Sequence, residues 1–165
     1  MNKSLFNVFA LMLSWCALTS TADTHIERIV LKASLAVTTS DLVNVSIETI
    51  EPSKNYIFSQ AYMWGGDETS PPKTIIRAIT VLRNGQSIFV PLSAYADLGK
   101  PTTLTLAKLS GHGFRLTITG GDAAGSYRAL LDFKNSEISR RKVVSGEFPK
   151  EVWEETTYSF NHLNN

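Results

Sequence analysis

Apolar and polar residues alternate along most of this chain with a period of two, the spacing of half-buried antiparallel strands. Residues 26–35 form the first candidate strand. In 42–49, Val43, Val45 and Ile47 share one face; in 56–64, Tyr56, Phe58, Tyr62 and Trp64 do. Leu104 and Leu106 point away from Thr103 and Thr105, and Phe114, Leu116 and Ile118 alternate with Arg115, Thr117 and Thr119. Helical periodicity is nearly absent after residue 22. Phe148-Pro149 predicts one helical turn through Trp153, with Pro149 at its first position, before 156–160 alternates again.

Turn residues divide these runs. Asn84-Gly85 separates 75–83 from 86–92, and Asn-Gly readily adopts the positive φ angles of a tight hairpin. Asn135-Ser136 joins 127–134 to 137–144 in the same way, and Ser110-Gly111-His112-Gly113 joins two more strands. Pro91 places the end of its strand at a sheet edge. The longest loop is expected at 65–73. A weak repeat aligns 77–86 with 128–137, each preceded by Gly-Gly-Asp, at Gly65-Gly66-Asp67 and Gly120-Gly121-Asp122. Two hairpins that pack alike are the favoured explanation, with internal duplication the alternative.

Nine or ten short strands predict an all-β domain: an antiparallel β-sandwich, or alternatively a small β-barrel. The string Ala124-Gly125-Ser126-Tyr127-Arg128-Ala129 resembles the tyrosine corner of immunoglobulin-like domains. That resemblance implies an immunoglobulin-like sandwich, with the Tyr127 hydroxyl bonded back to the backbone.

The first 22 residues differ from the rest. Lys3 precedes an apolar run from Leu5 to Leu18, and Ser20-Thr21-Ala22 supplies small residues for a signal peptidase. The expectation is a signal helix outside the fold, cut after Ala22, leaving 23–165 as a single β-rich domain. The run is short for a membrane span, which takes about 20 apolar residues. No transmembrane anchor is therefore expected after cleavage. Lipidation at Cys16 is the competing reading, and Trp15 is large where a lipoprotein signal needs a small residue.

Cleavage changes the chemistry. Cys16 is the only cysteine, so the mature domain has no disulfide or thiol. Small secreted animal domains usually rely on disulfides, which points instead to a bacterial periplasm, or to secretion. Of 16 basic residues Lys3 is lost, and the remainder balance the 15 acidic ones. A nucleic-acid partner needs a basic footprint, so none is expected.

Catalytic motifs are missing from 23–165: there is no Gly-x-Ser-x-Gly, phosphate-cradling loop or His-Glu-x-x-His. Ser110 and His112 read as turn residues. His25, His112 and His162 are scattered, so neither a metal site nor a cofactor is expected. One conditional exception is Asp23-Thr24-His25, which at a free N-terminus has the nitrogen set for square-planar Cu(II).

Two sets of residues remain as candidate binding sites. Arg140, Arg141, Glu147, Phe148, Trp153 and Glu154 combine charge with aromatic anchors, a composition typical of interfaces. Their bland alternative is a basic strand paired with the returning acidic segment. Trp64, Asp67 and Asp122 form a ligand-binding candidate around the Gly-Gly loops. The expected function is therefore a non-enzymatic binding protein. Its partner would be a protein or glycan of the cell envelope, and an inhibitor or accessory of an envelope protein is one form. The alternatives are a small periplasmic hydrolase, with two of Asp67, Asp97 and Asp122 converging in one pocket, and a structural module of an envelope assembly.

N-terminal sequencing of protein recovered from a Gram-negative host should start at Asp23-Thr24-His25; a start at Met1 contradicts cleavage. Copper titration of that material beside His25→Ala checks the metal motif, and equal affinities sink it.

Overall fold

Alternation becomes strand through most of the chain that this computed structural model describes, namely residues 29–53, 64–66 and 72–160. The first sheet holds β1 (Ile29–Thr38), β2 (Asp41–Ile50), β3 (Ile75–Arg83) and β4 (Gln86–Ile88). The second holds β5 (Pro101–Lys108), β6 (Phe114–Gly120), β7 (Tyr127–Lys134), β8 (Glu137–Ser145) and β9 (Val152–Thr157). Every ladder between these strands is antiparallel and joins strands adjacent in sequence.

The architecture is the expected β-sandwich. β1 runs beside β5 without laddering to it, so the sheets stay separate and no barrel closes. The sandwich layout is shared with immunoglobulin-like domains. The strand order is not: those domains use Greek-key connections, whereas both sheets here are meanders.

Both Asn-led hairpins form. Asn84 and Gly85 have φ of 52° and 82°, and Asn135 and Ser136 have 49° and 62°. These angles match the right-handed twist of the flanking strands. Two expectations change. β4 ends at Ile88, and a 3-10 turn at Leu92–Ala94 follows Pro91. At Phe148-Pro149 there is a single turn, closed by the Glu151 N–H on the Phe148 carbonyl, and β9 begins before a helix can form.

The core lies between the sheets. Val43, Val45, Ile47 and Val81 from one meet Leu116, Ile118, Leu131 and Val143 from the other. Phe114 and Phe133, directly opposite in the β6–β7 ladder, stack at 4.6 Å with rings 5° apart. Burying each such side chain stabilises the fold by about 1.5–3 kcal/mol.

One end of the sandwich is tied by the segment Asp97–Lys100. The Gly99 N–H donates to the Trp64 carbonyl at 2.7 Å and the Lys100 N–H to the Thr74 carbonyl at 2.7 Å. The fully buried Tyr127 donates its hydroxyl to the Gly99 carbonyl at 2.9 Å. This is the expected tyrosine bond to the backbone, but it reaches 28 residues upstream and links the second sheet to the crossover from the first. The ring fits because its neighbours lack side chains. A Cβ at Gly120 would collide with the Tyr127 hydroxyl, and one at Gly65, where φ is +90°, with the Gly99 carbonyl.

Tyr127→Phe should therefore cost about 1–3 kcal/mol, because the Gly99 carbonyl loses its buried partner. Urea unfolding measures it; an unchanged midpoint would show that the bond contributes nothing.

Candidate functional site

In β8, consecutive arginines serve opposite faces of the sheet. The β7–β8 register slips between Asp132 and Phe133, leaving Ser139 as an extra residue on β8. Without that bulge, Ile138 and Val143 could not both point inward, because they lie an odd number of positions apart. With it, Ile138, Arg141 and Val143 face the core while Arg140 and Lys142 face out.

Arg141 pays the polar cost of facing inward by ion pairing. Its side chain is 4% exposed. Nη2 donates to both oxygens of Asp97 at 2.7 Å, and Nη1 donates to Glu154 Oε1 at 2.6 Å. Burial pushes the Asp97 carboxyl above its usual range, and the Arg141 charge offsets this only in part. Glu154 also accepts from the Thr156 hydroxyl at 2.9 Å. A second bulge, in β9, leaves Trp153 unopposed in the ladder. Trp153 stacks on Trp64 at 5.1 Å, so residues from both candidate sets meet here. The guanidinium occupies the space between Asp97 and Glu154. The arrangement is a clamp between the crossover segment, β8 and β9.

The outer face is built around Asp132, whose side chain is 6% exposed. It accepts Arg115 Nε and Nη2 at 2.6 and 3.0 Å, and Arg140 Nε and Nη2 at 3.1 and 2.7 Å. Burial alone would raise this carboxyl. The four guanidinium bonds outweigh it and hold the group below the usual carboxylate range. Arg140 Nη1 reaches Glu155 at 3.3 Å, and Lys142 Nζ lies 3.9 Å from the same carboxylate.

A groove of about 240 Å³ opens on this face. Arg115, Arg128, Arg140 and Lys142 surround Leu130, and Val144 and Pro149 line it beside them. Its four cations meet two carboxylates, Asp132 and Glu155. Arg128 is exposed and, among the described residues, has no hydrogen-bond or ion-pair partner. Arg115 Nη1 is also uncommitted. Such a surface can hold an anionic group by charge-assisted, bidentate hydrogen bonds.

The other candidates disperse. Glu147 and Phe148 lie on the exposed loop before β9, with Phe148 64% exposed. Asp122 is exposed and pairs with Lys100. Asp97 is committed to Arg141, so Asp97 and Asp122 do not share a site. Asp67, His25, His162 and the aromatic positions Tyr56, Phe58 and Tyr62 lie outside the described residues. His112 sits in the β5–β6 turn, its carbonyl accepting from Arg83. The basic run does pair with the returning acidic segment, Arg141 with Glu154 and Arg140 with Glu155.

Sequence reasoning missed Arg115, Arg128, Leu130 and Asp132 as a group. Each sits on the outward side of an alternating strand, but only the register sets β6 and β7 beside Arg140 and Lys142 of β8. The chain matches no known protein-family description, and no curated protein or solved structure matches it.

The half-buried Asp97 and the buried Asp132 shift in opposite senses, with opposite consequences. Asp97, raised by burial, costs native stability as pH climbs past the ordinary carboxylate range. Asp132, held low by its arginines, stabilises the native state above about pH 4 and loses that contribution as pH falls further. Asp132→Asn should therefore flatten the acid limb of stability below about pH 4, read by urea midpoints across pH. A variant with the parental acid limb contradicts the assignment.

Proposed function

We propose that this chain is an exported binding protein of the bacterial cell envelope, which holds an anionic partner in the groove around Leu130 rather than transforming it. The observation that carries this is Arg128, which has no partner among the described residues, across the groove from the uncommitted Nη1 of Arg115. Cationic donors stand ready there around a half-buried leucine.

Export is supported by the tripartite pattern of residues 1–22 and the absence of cysteine from 23–165. Binding without chemistry is supported by the way the carboxylates are used. Asp97, Asp132 and Glu154 each answer an arginine, and none stands free beside a nucleophile. The balanced charge of residues 23–165 means that any preference for anions arises locally, in this groove.

Heparin serves as a general polyanion probe. The purified protein should bind it at about 50 mM salt, with affinity falling as salt rises. Arg128→Ala with Lys142→Ala should weaken binding about tenfold or more at unchanged melting temperature. Trp153→Ala should leave it unaltered. No binding at low salt, or equal loss in a Lys108→Ala and Lys134→Ala control, would overturn the proposal.

A further inference from the structure

The outer face continues beyond the groove. Cross-strand register sets Thr105, Thr117, Leu130, Lys142 and Glu155 in one row, crossing all five strands of the second sheet. With strands about 4.8 Å apart, the row spans roughly 19 Å. Arg115 and Arg140 belong to the row on one side of it, and Arg128 belongs to the row on the other. Toward β5 the same surface carries a second threonine pair, Thr103 opposite Thr119. The result is a shallow track. It has cations on both banks, an apolar floor at Leu130, a wall at Pro149 and hydroxyls leading away to the β5 edge.

Three classes of anion fit this track unequally. Single-stranded nucleic acid needs aromatic platforms for its bases, and none of the residues in the three rows is aromatic. An acidic peptide that adds as a strand needs a free strand edge, and one held by an arginine cluster alone leaves the threonine hydroxyls without a role. This track crosses strands whose backbone groups already bond to each other. A pyranose chain bearing carboxylates matches each part. Its C–H faces lie on Leu130 and Pro149, its hydroxyls meet threonine hydroxyls, and its carboxylates reach Arg128 and Arg115 Nη1.

Resting on the groove being the recognition surface, we propose that the outer face of the second sheet binds an extended acidic polysaccharide of the uronate type. The chain lies across the strands along the row from Thr105 to Glu155, with carboxylates held alternately by Arg115 and Arg128.

Calorimetry with galacturonate, its trimer and its hexamer tests this, alongside heparin and polyglutamate of matched length. The hexamer should bind about tenfold or more tightly than the monomer, since one chain engages the whole track. Polyglutamate should bind more weakly than the hexamer. Thr105→Glu, an exposed change remote from the groove, should weaken the hexamer and leave the trimer unaffected. Equal affinity for monomer and hexamer, polyglutamate as tight as the hexamer, or an indifferent Thr105→Glu would each overturn the polysaccharide assignment. If heparin still binds in those cases, the anion groove stands and only its ligand class falls. If heparin fails too, both fall.

Discussion

The extra residue at Ser139 decides what each face of the second sheet becomes. A strand obeying strict alternation from Ile138 would send Arg140 inward and Val143 outward. The bulge resets the phase, so Ile138 and Val143 both reach the core, and Arg141 goes with them. Arg140 is left outside, opposite Asp132. One buried arginine then requires Asp97 and Glu154 on the inside, while one buried aspartate gathers Arg115 and Arg140 on the outside. Each set neutralises what its burial would otherwise make costly, since an unpaired buried charge is among the most destabilising defects a fold can carry.

The same inner clamp depends on how the sandwich is closed at one end. Asp97 lies in the crossover that Tyr127 and the 64–66 segment hold in place. The two Gly-Gly segments meet there: a Cβ at Gly121 would press on Gly65, and one at Gly125 on the Gly66 carbonyl. Their glycines are thus spent on close backbone approach around the tyrosine. This gives the repeated Gly-Gly-Asp string a packing role, in which Asp122 serves as an exposed partner of Lys100.

Much of this fold was legible one strand at a time. Alternation located Val43, Val45 and Ile47, and Phe114, Leu116 and Ile118, on buried faces, and Asn84-Gly85 and Asn135-Ser136 announced their hairpins. The resemblance at Tyr127 anticipated a buried tyrosine bonded to the backbone, though not its distant partner. What local pattern could not carry was register. Arg115, Arg128 and Arg140 lie on three strands and become neighbours only when ladders align. A bulge such as Ser139 leaves no mark in the chemistry of its residue. The helical turn expected from Pro149 through Trp153 failed for a related reason: pairing of Val152 with Val144 takes up the end of that stretch as strand.

The candidate site therefore emerges from a division of labour within one short basic run. Arg141 is spent on the interior, whereas Arg140 and Lys142 join Arg115 and Arg128, which has no partner among the described residues, outside, leaving a local excess of positive charge although residues 23–165 are balanced in charge. The most direct test is an NMR shift map of the protein titrated with a uronate hexamer. The account predicts perturbations concentrated at Arg115, Thr117, Arg128, Leu130 and Lys142. Perturbations centred instead on Trp64, Trp153 and Phe148 would contradict it.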